Sequence, residues 1–201
     1  MFDWVTGLVE QTGYLGIAFL MLAENVFPPI PSELIMPLAG FTAARGELNV
    51  VGVLLAGAVG SLAGALVWYY VGLWLGEERL KRWAARHGRW LTVTPGEVDQ
   101  ATAWFRRHGY LAVLFGRLVP AVRTLISVPA GIARMGLPIF LLYSGIGTVV
   151  WTTFLLAGGY LLEGRYQQVQ EWLNPVSNAV IIVLVAWYLY RVVTFRREVA
   201  G

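Results

Sequence analysis

An all-α polytopic membrane protein, with two oppositely oriented re-entrant hairpins in an inverted repeat, is the fold class predicted by three observations. The chain of 201 residues is 57% hydrophobic and only 13% charged, with a mean hydropathy of +0.62. Three long stretches carry no Asp, Glu, Lys, Arg or His, and two other apolar stretches are broken by prolines yet hold charges. A soluble domain carries about 25% charged residues, and a chain of this length has room for one ordinary core. The surplus apolar surface cannot be hidden there, so lipid must be part of the solvent. Nine Trp and nine Tyr suit two membrane–water interfaces, where amphipathic rings accumulate. The absence of Cys removes disulfides, thiol nucleophiles, iron–sulfur clusters and cysteine-ligated zinc.

Taken in order, residues 1–13 contain Asp3 and Glu10 but no Lys or Arg, unlike the basic start of a secretory signal. Tyr14 to Ala44 is apolar but contains Glu24, Pro28, Pro29, Pro31, Glu33 and Pro37. Prolines lack the backbone donor and disfavour continued helix, so this stretch splits into Tyr14–Phe27 and Ser32–Ala44. Each half is roughly 20 Å long at 1.5 Å per residue, short of a ~30 Å hydrocarbon core. Residues 48–76 have no charge and are long enough to span, with Gly60, Gly64, Gly72 and Gly76 spaced for close helix packing. Residues 77–108 are a basic, aromatic linker with Arg79, Lys81, Arg82, Arg86, Arg89, Arg106 and Arg107. Thr94-Pro95-Gly96-Glu97 has the spacing of a capping box between two helices. Such helices suit an anionic membrane surface, and a docking surface for a partner is the alternative. Tyr110 to Ala133 is broken again, with Arg117, Pro120, Arg123 and Pro129; residues 135–162 and 172–190 are the remaining charge-free spans.

Parity decides how the broken stretches lie. The linker and the tail, which holds Arg191, Arg196 and Arg197, both belong in the cytoplasm by the positive-inside rule. Residues 135–162 and 172–190 already supply two crossings between them, so residues 110–133 must enter and leave on one side. An outside N-terminus makes the first broken stretch a hairpin too. The organisation is a single transmembrane domain: a first repeat at 1–76, the linker at 77–108, a second repeat at 109–162 and a terminal span at 172–195. Gly13-Tyr14-Leu15 and Gly109-Tyr110-Leu111 open the hairpins, Pro37-Leu38-Ala39-Gly40 and Pro129-Ala130-Gly131 close them, and Trp68 and Trp151 follow. Opposed broken helices meeting near the midplane mark many secondary transporters.

The charged residues on these hairpins are the candidate site. Glu24 lies about ten residues, or roughly 15 Å of helix, into the first hairpin; Glu33 follows its proline tip, and Arg117 and Arg123 belong to the second. Left unpaired at mid-bilayer, the four would cost on the order of 10 kcal/mol. One reading is structural, with acids and arginines merely neutralising each other, although buried ion pairs add little net stability. The functional reading is that Arg117 and Arg123 bind a phosphate, for which planar guanidinium is suited, while Glu24 and Glu33 exchange protons or gate. Pro28, Pro29, Pro31, Pro120 and Pro129 are the expected hairpin breakers. An enzyme is disfavoured, since His87 and His108 both sit in the linker, away from any intramembrane Ser–His pair or phosphatase site. No zinc-protease, phosphate-cradling or dinucleotide motif occurs, so no cofactor or metal is expected.

These motifs resemble a known family. Glu24-Asn25-Val26-Phe27-Pro28-Pro29-Ile30-Pro31-Ser32-Glu33 with Pro37-Leu38-Ala39-Gly40 resembles the first signature of the DedA family, the SNARE-associated or VTT-domain membrane proteins. Phe115-Gly116-Arg117-Leu118-Val119-Pro120-Ala121-Val122-Arg123, running to Pro129-Ala130-Gly131, resembles the second. The resemblance covers roughly residues 10–165. It implies two opposed re-entrant hairpins and translocation of undecaprenyl phosphate in bacteria, or lipid scrambling in the wider family, with proton dependence falling on Glu24, Glu33, Arg117 and Arg123. The expectation is therefore a non-enzymatic, proton-coupled flippase of a phosphate-bearing lipid in the bacterial inner membrane, with its C-terminus cytoplasmic. Its partners are a polyprenyl phosphate or anionic phospholipid, the bilayer, no nucleic acid, and a homo-oligomer as an open question. The alternatives are a proton-coupled small-ion transporter, a general phospholipid scramblase, or a structural protein of envelope assembly. Arg123→Ala or Glu24→Gln is expected to abolish transport in a protein that still folds.

Overall fold

The computed structural model describes residues 9, 11–26, 32–91, 94–120, 122–161 and 190, and among these the secondary structure is entirely helical. The expected span at 172–190, apart from a helical Tyr190, and the Pro28-Pro29-Pro31 tip lie outside the described residues. Six helices follow in order: α1 (Tyr14–Val26), α2 (Ser32–Ala44), α3 (Val50–Leu91), α4 (Pro95–Gly116), α5 (Ser127–Ile132) and α6 (Leu137–Leu161). The helices α3 and α6 are long and apolar enough to cross a bilayer.

Local chemistry explains where these helices begin. Asn49 caps α3, its side-chain oxygen accepting from Val51 N at 2.9 Å and Gly52 N at 3.3 Å. Tyr14 Oη accepts from Asn49 N at 2.8 Å and so ties the start of α1 to the start of α3. At α4 the capping box is formed, with Glu97 N donating to Thr94 Oγ1 (3.2 Å) and Thr94 N donating to the Glu97 carboxylate (2.9 Å), which satisfies two donors that a helix start leaves open. The apolar stretch and the first part of the basic linker share the one helix α3. Gly76, at φ +63°, marks the junction in a conformation that glycine adopts at little cost. Beyond it, Arg79 donates to the Trp74 carbonyl at 2.8 Å and stacks over the Trp74 ring. Lys81 pairs with Glu77 (3.1 Å) and Asp99, and Arg106 with Glu77 (2.7 Å). Several of the linker's charges thus bind α3 to α4.

Helix α4 continues from the linker into the first arm of the second broken segment, which then turns through residues 117–126 before α5. Pro120 lies in that turn. Pro129 differs from its expected role: it is the third residue of α5. There, in the first turn, its missing N–H costs nothing, so it opens a helix rather than breaking one.

The two halves pack in the same way. Helix α1 lies on α3 and α4 on α6, while each short arm crosses to the other half, α2 onto α6 and α5 onto α3. Both crossings rest on a reciprocal pair of glycines. Gly40 faces the Leu156 carbonyl and Gly159 the Pro37 carbonyl; Gly131 faces the Tyr69 carbonyl and Gly72 the Val128 carbonyl. In all four cases the glycine comes three residues after the carbonyl met by its partner, and an added Cβ would collide with main chain. Small residues permit this approach, which weak Cα–H···O contacts reward.

Polarity is arranged inside out. Val51, Leu55 and Val59 on α3 and Leu142, Ile146, Val150 and Phe154 on α6 are exposed at one-turn spacing, whereas Glu24, Arg117 and Arg123 are buried. An apolar outer belt around a charged interior is the arrangement lipid selects.

Candidate functional site

Helix α1 ends in Glu24-Asn25-Val26, and the turn after α4 begins at Arg117. The packing of α1 and α5 on α3 brings these segments together, though 92 residues separate Asn25 from Arg117. Glu24, Arg117 and Arg123 are 4%, 2% and 5% exposed. Arg123 Nη2 forms an ion pair with Glu24 Oε1 and lies 3.9 Å from Glu33 Oε1. Glu33 sits in the first turn of α2, where a carboxylate is favoured by the helix dipole. Of the four residues singled out in the sequence, Glu24, Glu33 and Arg123 meet directly, while Arg117 is linked to Glu24 through Asn25. Pro28, Pro29 and Pro31 lie outside the described residues.

The two arginines are unlike. Arg123 has two carboxylates within 4.0 Å. Arg117 has none among the described residues; its partners are neutral, Asn25 Oδ1 at 3.4 Å and Ser127 Oγ at 3.0 Å. Its Nε has no hydrogen-bond partner there, and neither has Arg123 Nε. A buried cation without a counter-ion is costly, so this centre is poised to accept negative charge. The guanidinium offers a planar fork of donors that matches a phosphate or carboxylate.

Sequence reasoning missed the residues that hold Asn25. Its side-chain amide donates to Ser61 Oγ at 2.8 Å and approaches Glu24 Oε2 at 3.3 Å, and Trp68 Nε1 donates to the Asn25 carbonyl at 2.8 Å. Gly64, between Ser61 and Trp68, packs on Asn25 Cβ. A signal was present: Ser61-x-x-Gly64-x-x-x-Trp68 recurs as Ser144-x-x-Gly147-x-x-x-Trp151, and Asn25-x-x-Pro28 recurs as Arg117-x-x-Pro120. The contacts follow the repeat, since Gly64 meets Asn25 Cβ and the Leu22 carbonyl, while Gly147 meets Arg117 Cβ and the Leu114 carbonyl. Among the described residues no group of three or more His, Cys, Asp or Glu could hold a metal ion.

An apolar exterior, two helices of spanning length and a charged interior fit an integral membrane protein, and comparison with known proteins agrees. The sequence matches the VTT domain over residues 30–161, and the chain belongs to this family, the DedA family. Over 98% of its length it is 37% identical to a Lactococcus lactis protein called "Alkaline phosphatase-like protein", covering 93% of that relative. It is 33% identical over 97% of its length to Undecaprenyl phosphate transporter A of Staphylococcus aureus, covering 98% of it. Identity to the protein of that name from Bacillus subtilis is 26%, over 94% of this chain and 91% of the relative. No solved structure matches.

Proposed function

We propose that this protein moves a phosphate-bearing lipid, undecaprenyl phosphate foremost, between the leaflets of a bacterial cytoplasmic membrane, coupled to protons. The observation that carries the reading is Arg117, a buried cation whose partners are all neutral, beside an Arg123 already paired with Glu24. The lipid phosphate supplies the missing charge at Arg117. Its second negative charge competes with Glu24 for Arg123, and a Glu24 released from that pair takes up a proton. Glu33, within 3.9 Å of Arg123, is the alternative acceptor and hands the proton on. Substrate entry and proton uptake are coupled in this way because both exchange partners on one guanidinium.

The opposed hairpins belong to the same proposal. Equivalent crossings of α2 on α6 and α5 on α3, with their matched glycines, support two re-entrant hairpins that enter from opposite faces and meet at the centre. The charge of the basic linker and tail supports a cytoplasmic C-terminus. The names of the two transporter relatives support the choice of lipid.

The test is transport of undecaprenyl phosphate across reconstituted vesicles, with and without a pH gradient. Wild type is expected to carry the lipid faster when protons are supplied with it, and Arg117→Gln and Glu24→Gln to lose transport while remaining folded. A pH-independent wild type removes the coupling, and full activity in both variants removes the site. A phosphatase reading draws on the name of the Lactococcus relative; release of inorganic phosphate from the same lipid by wild type would favour it.

A further inference from the structure

The repeat that relates the two halves also exposes a difference between them. In the first half every point around Asn25 is taken: Ser61 Oγ accepts from its amide, Trp68 Nε1 donates to its carbonyl, and Gly64 closes on its Cβ. In the second half Gly147 closes on Arg117 in the same manner, an added Cβ lying 2.6 Å from Arg117 Cβ. Yet Ser144 Oγ, Trp151 Nε1 and Arg117 Nε, the groups at the matching points, are buried without hydrogen-bond partners among the described residues. Thr148, one turn from Ser144 on the same face of α6, also has a buried hydroxyl without one. Ser144 and Thr148 are 0% and 4% exposed.

Buried polar groups in native proteins are nearly always satisfied, and each one left open costs about 1–3 kcal/mol. Arg117 Nε and the open groups on the stretch of α6 that packs on Arg117 through Gly147 therefore read as a site awaiting a ligand rather than a packing accident. All of them can donate, and Arg117 Nε and the two hydroxyls are suited to an anion as acceptor. Hydroxyls one turn apart on a helix lie about 6 Å from each other at their Cβ atoms, which suits two oxygens of a single phosphoryl group.

We propose that Ser144 and Thr148 complete the headgroup site, donating to phosphate oxygens whose charge is balanced by Arg117. The site binds the phosphoryl group itself and seats it between α6 and Arg117. Helix α6 thereby acts as the recognition wall of the second half, where the matching face of α3 is a fixed support. This deepens the proposed lipid-phosphate function and rests on it for the identity of the lipid.

The experiment uses the full chain, Ser144→Ala, Thr148→Val and the double variant. In vesicles, the undecaprenyl phosphate concentration giving half-maximal transport is expected to rise about tenfold for each hydroxyl lost, as for a hydrogen bond to a charged group, with little change in maximal rate. In detergent, millimolar inorganic phosphate is expected to raise the Tm of wild type but not of the double variant. The Tm of these three variants without phosphate stays at the wild-type value, because neither hydroxyl has a partner to lose among the described residues. Ser61→Ala, which does remove such a partner, lowers it. A double variant with wild-type half-saturation and the wild-type phosphate shift overturns the proposal, and so does one whose phosphate-free Tm falls like that of Ser61→Ala. If wild type carries no polyprenyl phosphate but phosphate still protects it through Ser144 and Thr148, the site stands and the lipid assignment falls.

Discussion

Replacing each arginine in turn by methionine separates their roles. Met keeps much of the length and removes the charge. At Arg123 the change strands Glu24, which is 4% exposed and retains, among the described residues, only the Asn25 amide, at 3.3 Å. Breaking a buried pair from one side costs about 3–5 kcal/mol. For a chain of this size each kcal/mol is worth about 2–4 °C in Tm, so Arg123→Met should lower it by about 6–20 °C. Adding Glu24→Gln should restore most of that loss, since no uncompensated charge then remains. Arg117→Met does the reverse. It gives up two hydrogen bonds to neutral groups, one of them long at 3.4 Å, each worth about 1 kcal/mol. Against that loss it relieves a cation with no carboxylate within 4.0 Å, and the two effects cancel to within about 1 kcal/mol. Thermal unfolding in detergent measures both, and vesicle transport should be lost in both. If Arg117→Met falls as far as Arg123→Met, the protein itself compensates Arg117, and the case for an anion there fails. The expectation that Arg123→Ala leaves the fold intact is revised on the same ground, because Arg123 is half of a structural pair as well as part of the site.

Two further predictions concern the scaffold. Gly131→Ala and Gly159→Ala each force a Cβ against main chain at a helix crossing and should cost about 1–3 kcal/mol; matching losses of Tm would support equivalent crossings, whereas a change confined to one would argue against them. Thr94→Ala removes the cap at the start of α4 and should cost about 1 kcal/mol, read as a small drop in Tm with transport retained.

Much of this was legible in the sequence because membranes make errors of polarity expensive. Four ionisable side chains on apolar segments were expected to find one another; Glu24, Glu33 and Arg123 did, while Arg117 found only neutral partners among the described residues. The Thr94 capping box was legible for a different reason, being local and needing only its own spacing. What stayed hidden was long-range and neutral. Asn25, Ser61 and Trp68 carry no charge, so burial imposes no visible penalty that would single them out, and their relation is set by a helix crossing. Composition also cannot say which arginine a carboxylate will choose, since that depends on how α1 and the turn after α4 are brought together on α3. The repeat could have supplied part of the answer. Once Ser61-x-x-Gly64-x-x-x-Trp68 is laid on Ser144-x-x-Gly147-x-x-x-Trp151, each residue of one half predicts a contact in the other. The positions where that prediction fails are then the informative ones. Asn25 and Arg117 occupy matching places, but one is fully hydrogen-bonded and the other is not.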